Sequence, residues 1–287
     1  MAHNYLNDRR LVRRWRDTLK SGGNQMSSIE KAAKIISSGR KGVAFTGAGI
    51  SAASGISTYR DSGGLWDRYG SQGILNVLAK HPDKTHEILD GFFSALEKAR
   101  PNPAHLALSQ LEKMGHLAGV ITQNVDNLHR EAGSKSVYEL HGNLFRFRCM
   151  TCGKKQGSHR EAFFEMVRPV LDKADTFSLE ALLKAFPQCE CGGMTRPDFV
   201  SFGEAVQDLP EAKIAAQTCD VMLVVGTSGV VYPAAALPEI AKSAGACLIE
   251  INWKKSELTS LCDLSIRAQA TEALPQILEC LTPAKKS

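Results

Sequence analysis

From Ser28 the chain opens with a helical pattern, Ile29-Glu30-Lys31-Ala32-Ala33-Lys34-Ile35-Ile36, in which apolar and charged positions alternate as on an amphipathic helix. Gly39-Arg40-Lys41-Gly42 breaks that pattern, and the apolar run Val43-Ala44-Phe45-Thr46 that follows predicts a buried strand. Further strand-like runs are Leu117 to Thr122, Val137 to Leu140, Val221 to Val225 and Ala246 to Ile251, with helical stretches between several of them. Short apolar strands alternating with helices predict an α/β fold with a doubly wound, mostly parallel, Rossmann-like sheet covered on both faces. Residues 62–100 lack strand character, and residues 149–195 carry cysteines around a helical insert. These two segments are expected to form a smaller zinc-binding and helical lobe. The large nucleotide-binding domain then takes residues 28–61, 101–148 and 196–280, with 1–27 a basic extension outside the fold and 281–287 a tail.

Composition narrows the setting. At 287 residues, 43% hydrophobic and 23% charged, the chain suffices for one large core plus a subsidiary lobe. It holds no run of 18 apolar residues and no apolar leader with a small-residue cleavage site, so membrane insertion and secretion are not expected and a cytoplasmic protein is. The net charge of +5 is concentrated near the start, where Arg9, Arg10, Arg13, Arg14, Arg16 and Lys20 surround Trp15. One basic stretch without a second patch reads as a solvated helix or tail rather than a nucleic-acid or membrane arm.

The cysteines change the picture more. Cys149-Met150-Thr151-Cys152 and Cys189-Glu190-Cys191 have metal-ligand spacing, and four thiolates favour zinc in a closed, structural site. A redox reading of the first pair would leave the second unexplained. Cys219, Cys247, Cys262 and Cys280 lie in largely apolar contexts and are expected to be reduced and mostly buried. A zinc ribbon can also bind nucleic acid, but its neighbours lack the repeated basic and aromatic residues such readers use.

Gly47-Ala48-Gly49-Ile50-Ser51-Ala52 follows the first strand and matches a glycine-rich turn that lets backbone approach a pyrophosphate. A dehydrogenase would need an acidic residue ending the next strand about twenty residues on, and Gly55 and Gly63-Gly64 interrupt the chain before any strand forms. Hydride transfer is therefore disfavoured. The loop instead continues Ser54-Gly55-Ile56-Ser57-Thr58-Tyr59-Arg60-Asp61, with an arginine placed to meet phosphate.

Those loop residues resemble the signature of the sirtuin family, in its bacterial type. Thr122-Gln123-Asn124-Val125-Asp126-Asn127-Leu128-His129, Glu139-Leu140-His141-Gly142, the cysteine pairs, Phe202-Gly203-Glu204, Gly226-Thr227-Ser228 and Glu250-Ile251-Asn252 follow in the same order. Tyr59 departs from the phenylalanine usual there. The resemblance spans residues 29–280 and implies an enzyme that cleaves NAD while removing an acyl group from protein lysine, giving nicotinamide and O-acyl-ADP-ribose.

The resemblance also implies roles. His141 would be the base that acts on the nicotinamide ribose, a task suited to an imidazole near neutral pH. Asp126 would hold the nicotinamide carboxamide, Asn124 would position a water near the ribose, and Gln123 would hydrogen-bond the ribose. Gly47, Ala48, Gly49, Ser51, Tyr59, Arg60, Gly226, Thr227, Ser228 and Asn252 would complete the NAD contacts, with hydroxyls at Thr227 and Ser228 also suited to capping a helix. Val200, Phe202, Gly203 and Glu204 would bind an acyl-lysine peptide or protein along its backbone. His105 and His129 are expected to pack or order helices. No Tyr-x-x-Arg pair of the succinyl-preferring branch occurs between His86 and Leu96, where Leu89, Phe92 and Phe93 offer an apolar wall, so a neutral acyl group is expected. An ADP-ribosyltransferase or NAD hydrolase, and a non-catalytic NAD-sensing or nucleic-acid-binding zinc module, are the alternatives.

Overall fold

The long apolar runs become the central strands of one sheet. The computed structural model describes residues 15, 17–19, 26–56 and 74–282. β1 (Gly42–Thr46), β7 (Val221–Val225) and β8 (Cys247–Ile251) are buried at every position, as strands covered on both faces must be. With β2 (Leu117–Thr122), β3 (Val137–Glu139) and β9 (Leu264–Ile266) they form a six-stranded parallel sheet in the order β3-β2-β1-β7-β8-β9. The chain builds outward from β1 on one side and from β7 on the other, so β1 and β7 flank the point where strand order reverses.

Helices cover both faces. On one lie α1 (Ser28–Ser38), α4 (Pro103–Lys113) and α10 (Ala270–Leu281), which bury Ile35, Leu108, Leu111, Leu274 and Ile277 against Val120, Leu223 and Ile249. A capping box starts α1: the Glu30 N–H donates to Ser27 Oγ and the Ser27 N–H to the Glu30 carboxylate. On the other face α8 (Leu209–Thr218) and α9 (Ala236–Ser243) pack Ala212, Ala216, Leu237 and Ala241 on Phe45, Met222 and Leu248. Trp15 corrects one expectation. Its ring is only 5% exposed within the first of these cores and its Nε1 donates to Ser38 Oγ at 3.1 Å, so the opening segment is anchored to the fold at this residue.

A second, smaller sheet absent from the sequence reading crosses the domain boundaries expected at 148 and 196, since β4 and β6 pair with each other rather than with the long sheet. β4 (Gly142–Cys149) pairs antiparallel with β5 (Lys155–Gly157) and β6 (Thr195–Phe199), in the order β5-β4-β6. α3 (Thr85–Lys98), α6 (Arg160–Leu171) and α7 (Leu179–Ala185) contribute to one phenylalanine-rich cluster with it. Phe163 is its centre, with ring centroids of Phe93, Phe145, Phe147, Phe164 and Phe186 between 5.1 and 6.1 Å away or from one another. Leu89 and Phe93 belong to this cluster and are buried, which removes two side chains from the apolar wall expected to face substrate. Cys219 and Cys247 are buried free thiols as expected, Cys262 is half-buried, and Cys280 is exposed. Among the described residues no helix is long and apolar enough to cross a membrane.

Candidate active site

Because the long sheet is parallel, the residues that follow its strands gather at one edge. Gly47, Gln123, His141, Gly226 and Asn252 come directly or within two residues after β1, β2, β3, β7 and β8. Backbone bonds carry the ladder past the strand ends: the Gly47 N–H donates to Val225 O at 3.1 Å, Gln123 N–H to Thr46 O at 3.0 Å and Gly226 N–H to Ile251 O at 3.1 Å. Ligands of open α/β sheets bind at this edge, beside the reversal of strand order.

The two glycine loops lie against one another there. The Gly49 N–H donates to Gly226 O at 2.8 Å, and a methyl on Gly226 would stand 2.5 Å from the Ile50 nitrogen. Gly226 also has φ near +58°, so both space and backbone conformation select glycine. Side chains then tie the rim. Gln123 Nε2 donates to Thr227 Oγ1 at 3.0 Å, and Asn252 Nδ2 to Thr227 O at 2.9 Å.

Beneath the rim is a buried polar chain. Asn124 Nδ2 donates to Gly47 O at 3.2 Å and to Ser51 Oγ at 3.1 Å, and Ser51 Oγ donates to Asp126 Oδ2 at 2.6 Å. Asp126 Oδ1 accepts the Leu128 N–H at 3.0 Å. Burial pushes the Asp126 carboxyl up from its ordinary value, against the hydrogen bonds from Ser51 and Leu128. His105 Nε2 lies 3.4 Å from Ser51 Oγ, its ring meets His129 edge-on at 4.9 Å, and His129 Nε2 lies 2.9 Å from Thr46 Oγ1. Burial drives His105 down to about 4 and His129 well below its usual value, so both rings are neutral at pH 7. His105 also caps α4 from within, accepting the Asn102 N–H at Nδ1, while His129 contacts the β1 end rather than simply ordering a helix.

His141 stands on the other side of the Gln-Asn-Val-Asp run. Its Nδ1 is 2.9 Å from Gln123 O, and since a carbonyl can only accept, Nδ1 carries the proton and the neutral ring leaves Nε2 as the basic nitrogen. Burial lowers its pKa and the Gln123 carbonyl partly offsets that. Gly142 lets β4 and β6 approach directly after it: a Cβ at Gly142 would fall 1.8 Å from Asp198 O. The Val200 N–H donates to His141 O at 2.8 Å, which sets residues 200–204 beside the histidine. Phe202 there is 67% exposed rather than core.

The four predicted metal ligands also converge. The Sγ atoms of Cys149, Cys152, Cys189 and Cys191 all lie within 4.8 Å of one another. An all-thiolate set, with no fifth donor among the described residues, fits a closed structural zinc site, and Gly193 leaves room for it, since a Cβ there would stand 2.8 Å from Cys149 Sγ. Tyr59 and Arg60 lie outside the described residues. Two residues to which the sequence reading assigns nothing also shape the site. Asn102 Nδ2 donates to Ile50 O at 2.7 Å, and the buried Arg160 Nη2 donates to Asp126 O at 3.2 Å while pairing with Glu131. The Asn-Pro step that starts α4 is a signal for Asn102 as a cap, whereas nothing in the sequence distinguishes Arg160 from a surface arginine.

The Sir2 family profile matches residues 47–233 of this chain. The chain belongs to the Sir2 family. Among its relatives, an NAD-dependent protein deacylase of Desulfosudis oleivorans is 44% identical over 89% of this chain and 96% of its own length. Another of Thermococcus kodakarensis is 46% identical over 86% of this chain and 93% of its own. A solved Sir2 homologue in complex with NAD superposes with a TM-score of 0.71 at 37% identity, covering 90% of this chain and 95% of that one. A Sir2 structure with a deacetylated p53 peptide and 3′-O-acetyl-ADP-ribose superposes equally well, at 32% identity over 88% of this chain and 97% of the other. Family membership thus agrees with the parallel sheet and with the cysteine cluster.

A hollow of about 240 Å³, lined by side chains that include Val43, Ala118, Ile214 and Ala215, lies toward the opposite ends of the strands and contains none of these rim residues.

Proposed function

We propose that this Sir2-family chain is an NAD-dependent protein-lysine deacylase that transfers the acyl group to ADP-ribose and releases nicotinamide, and that it works in the cytoplasm. The observation that carries the reading is the placement of His141 Nε2 as a basic nitrogen beside the Gln123-Asn124-Val125-Asp126 run, at the edge where the two glycine loops meet. NAD supplies the activated glycosidic bond, whose cleavage develops positive charge on the ribose. The chain's part is to bind, orient and move a proton. The pyrophosphate fits the Gly47-Ala48-Gly49 and Gly226-Thr227-Ser228 loops with Ser51, and Asn252 suits the adenosine ribose. Gln123 and Asn124 face the nicotinamide ribose, and Asp126 is suited to accept from the carboxamide, since a carboxylate has acceptor sites left after Ser51 and Leu128. Tyr59 and Arg60 complete the cover.

His141 takes a proton from a ribose hydroxyl so that the hydroxyl oxygen can attack the captured acyl group. Holding the ring neutral by burial keeps it ready below the usual imidazole pKa. The peptide runs along the backbone of residues 200–203, with Val200, Phe202 and Gly203 against it and Glu204 closing the turn that ends the segment. Cys149, Cys152, Cys189 and Cys191 hold zinc, which closes the small sheet and takes no part in the chemistry. Among the described residues, 28–56, 101–141 and 200–280 serve as the NAD-binding domain and 74–100 with 142–199 as the small lobe, because β4 and β6 belong to the small sheet.

Mass spectrometry of the products from NAD and acetyl-, butyryl- and succinyl-lysine versions of one peptide tests this. O-acyl-ADP-ribose should appear in step with deacylated peptide, with neutral acyl groups preferred over succinyl. Free ADP-ribose with the peptide still acylated would make the chain an NAD hydrolase. ADP-ribose attached to protein would make it a transferase.

A further inference from the structure

The register of the small sheet sets two arginines face to face. Arg148 on β4 pairs directly with Arg196 on β6, and like charges opposite one another destabilise an antiparallel pair unless an anion joins them. Glu204 is that anion. Arg196 Nη2 donates to Glu204 Oε1 at 2.5 Å, and Arg148 Nη2 to Glu204 Oε2 at 3.1 Å. The same carboxylate accepts the Ser201 N–H at 3.1 Å, and the Glu204 N–H returns to Ser201 O at 3.0 Å, closing a turn over residues 201–204. Arg196 holds the other end of the segment as well, donating through Nη1 to Phe199 O at 2.8 Å. Arg148 is further tied to the fully buried Asp198, which Arg146 binds at 2.7 Å.

These contacts occupy the Glu204 side chain and leave the neighbouring Phe202 exposed. We infer that Glu204 does not touch substrate, and that Arg148, Arg196 and Glu204 are positioning residues whose clamp holds the 199–204 segment in the shape that receives the acyl-lysine peptide. The inference rests on the deacylase reading for the identity of what is received. Because Arg148 precedes the metal ligand Cys149 on the same strand, the clamp also links the cysteine cluster to the substrate segment through β4.

The test uses the full-length, zinc-loaded protein with Glu204→Gln, Arg148→Met and the double variant. Each single variant should raise KM for an acetyl-lysine peptide about fivefold, with kcat within about twofold and KM for NAD unchanged. The double variant should be less severe than the product of the two single effects, since both variants remove the shared Arg148–Glu204 contact. Hydrogen exchange of the 201–204 amides should accelerate in all three, and zinc content should stay that of the unmutated protein. Glu204→Gln changes a partly exposed side chain and keeps the test usable if Arg148→Met misfolds. A fall in kcat at unchanged peptide KM would place Glu204 in the chemistry and overturn the inference, as would unchanged peptide KM together with unchanged exchange. Exchange is read without turnover. Absence of deacylation in the unmutated protein would therefore count against the proposed function, while accelerated exchange would still support the clamp.

Discussion

The nucleotide rim of the long sheet and the substrate edge of the small sheet adjoin at His141, yet they are held by opposite means. The rim is organised by backbone contact between glycine loops and by a largely buried polar chain, Asn124, Ser51, Asp126, His105, His129 and Thr46, in which Asp126 is the one acidic group. The substrate edge is organised by ions, with Asp198 and Glu204 set among Arg146, Arg148, Arg196 and Lys155. The proposed cleavage, which would develop a cation on a buried sugar, gains from polar groups fixed in advance. A segment proposed to receive a peptide has only to keep a backbone in place, and partly solvated ion pairs suffice. The first should answer to pH and the second to salt and metal.

The largest effect expected concerns the point where the two regions meet. His141→Ala should lower kcat/KM for deacylation by about 10²–10⁴-fold while zinc content and thermal midpoint hold, because it removes the proton acceptor and leaves both supports intact. Steady-state kinetics with metal analysis checks it, and near-normal deacylation would remove His141 from the mechanism. For the unmutated enzyme the lowered pKa places the acid limb of the rate profile below the ordinary imidazole value of 6.5.

Breaking the ionic region alone calls for a cysteine. Cys149→Ala or Cys189→Ala should lose the metal to below about a tenth of the unmutated content, since three thiolates do not close a tetrahedral structural site. Hydrogen exchange should then rise first across β4, β5, β6 and residues 199–204, with β1 and β7 still protected. Full zinc with unchanged exchange would contradict the assignment, and equal loss of protection in both sheets would erase the proposed contrast.

The smallest effect separates the regions by pH. In the folded protein His105 binds its proton only near pH 4, whereas the unfolded chain does so near 6.5. Between those values the unfolded state holds more protons, so stability is full above pH 6.5 and declines as pH falls toward 4. Moving this histidine from its ordinary value to about 4 corresponds to roughly 3 kcal/mol. Glu204 behaves the other way. Burial pushes its carboxyl up, but the Ser201 N–H, Arg196 and Arg148 outweigh that and hold it below the usual range, so its contribution survives until pH drops through the carboxylates. Urea unfolding at pH 7 and pH 5 should therefore show a lower midpoint at pH 5, with the 201–204 amides still protected. A midpoint that does not move would mean the buried histidines are protonated in the fold.

Much of the rim was legible in the sequence because its determinants are short and local. Uninterrupted apolar runs marked β1, β2, β7 and β8, and the glycines and polar residues behind them marked one edge. The small sheet was not, although its four ligands were. β6 reads Thr195-Arg196-Pro197-Asp198-Phe199, with a proline that argues against a strand and an aspartate that reads as surface but is fully buried. β4 mixes Asn143, Arg146 and Arg148 with phenylalanines, because one side of it faces carboxylates rather than apolar core. Partners such as Glu139 and Arg146, or Arg148 and Glu204, are distant along the chain or belong to different elements, and period-based reading cannot join them. Leu89 and Phe93 failed in the same manner: apolar residues near a site were read as its wall when a core of phenylalanines claimed them.

The strand order has a consequence for how the protein is born. Every ligand of the cysteine cluster has left the ribosome once residue 191 is out, and residues 193–195, which bond to its turns and to β4, follow directly. The proposed nucleotide edge draws on Gly47, Gln123, Gly226 and Asn252, and β1 meets its neighbour β7 only after residues 221–225 emerge. A nascent chain can thus load zinc while the first half of its nucleotide site waits with an unpaired strand edge, a state in which exposed apolar β1 invites wrong pairing. Early metal capture would then guide synthesis as well as hold the finished molecule, and zinc scarcity would show first as poor yield of folded chains.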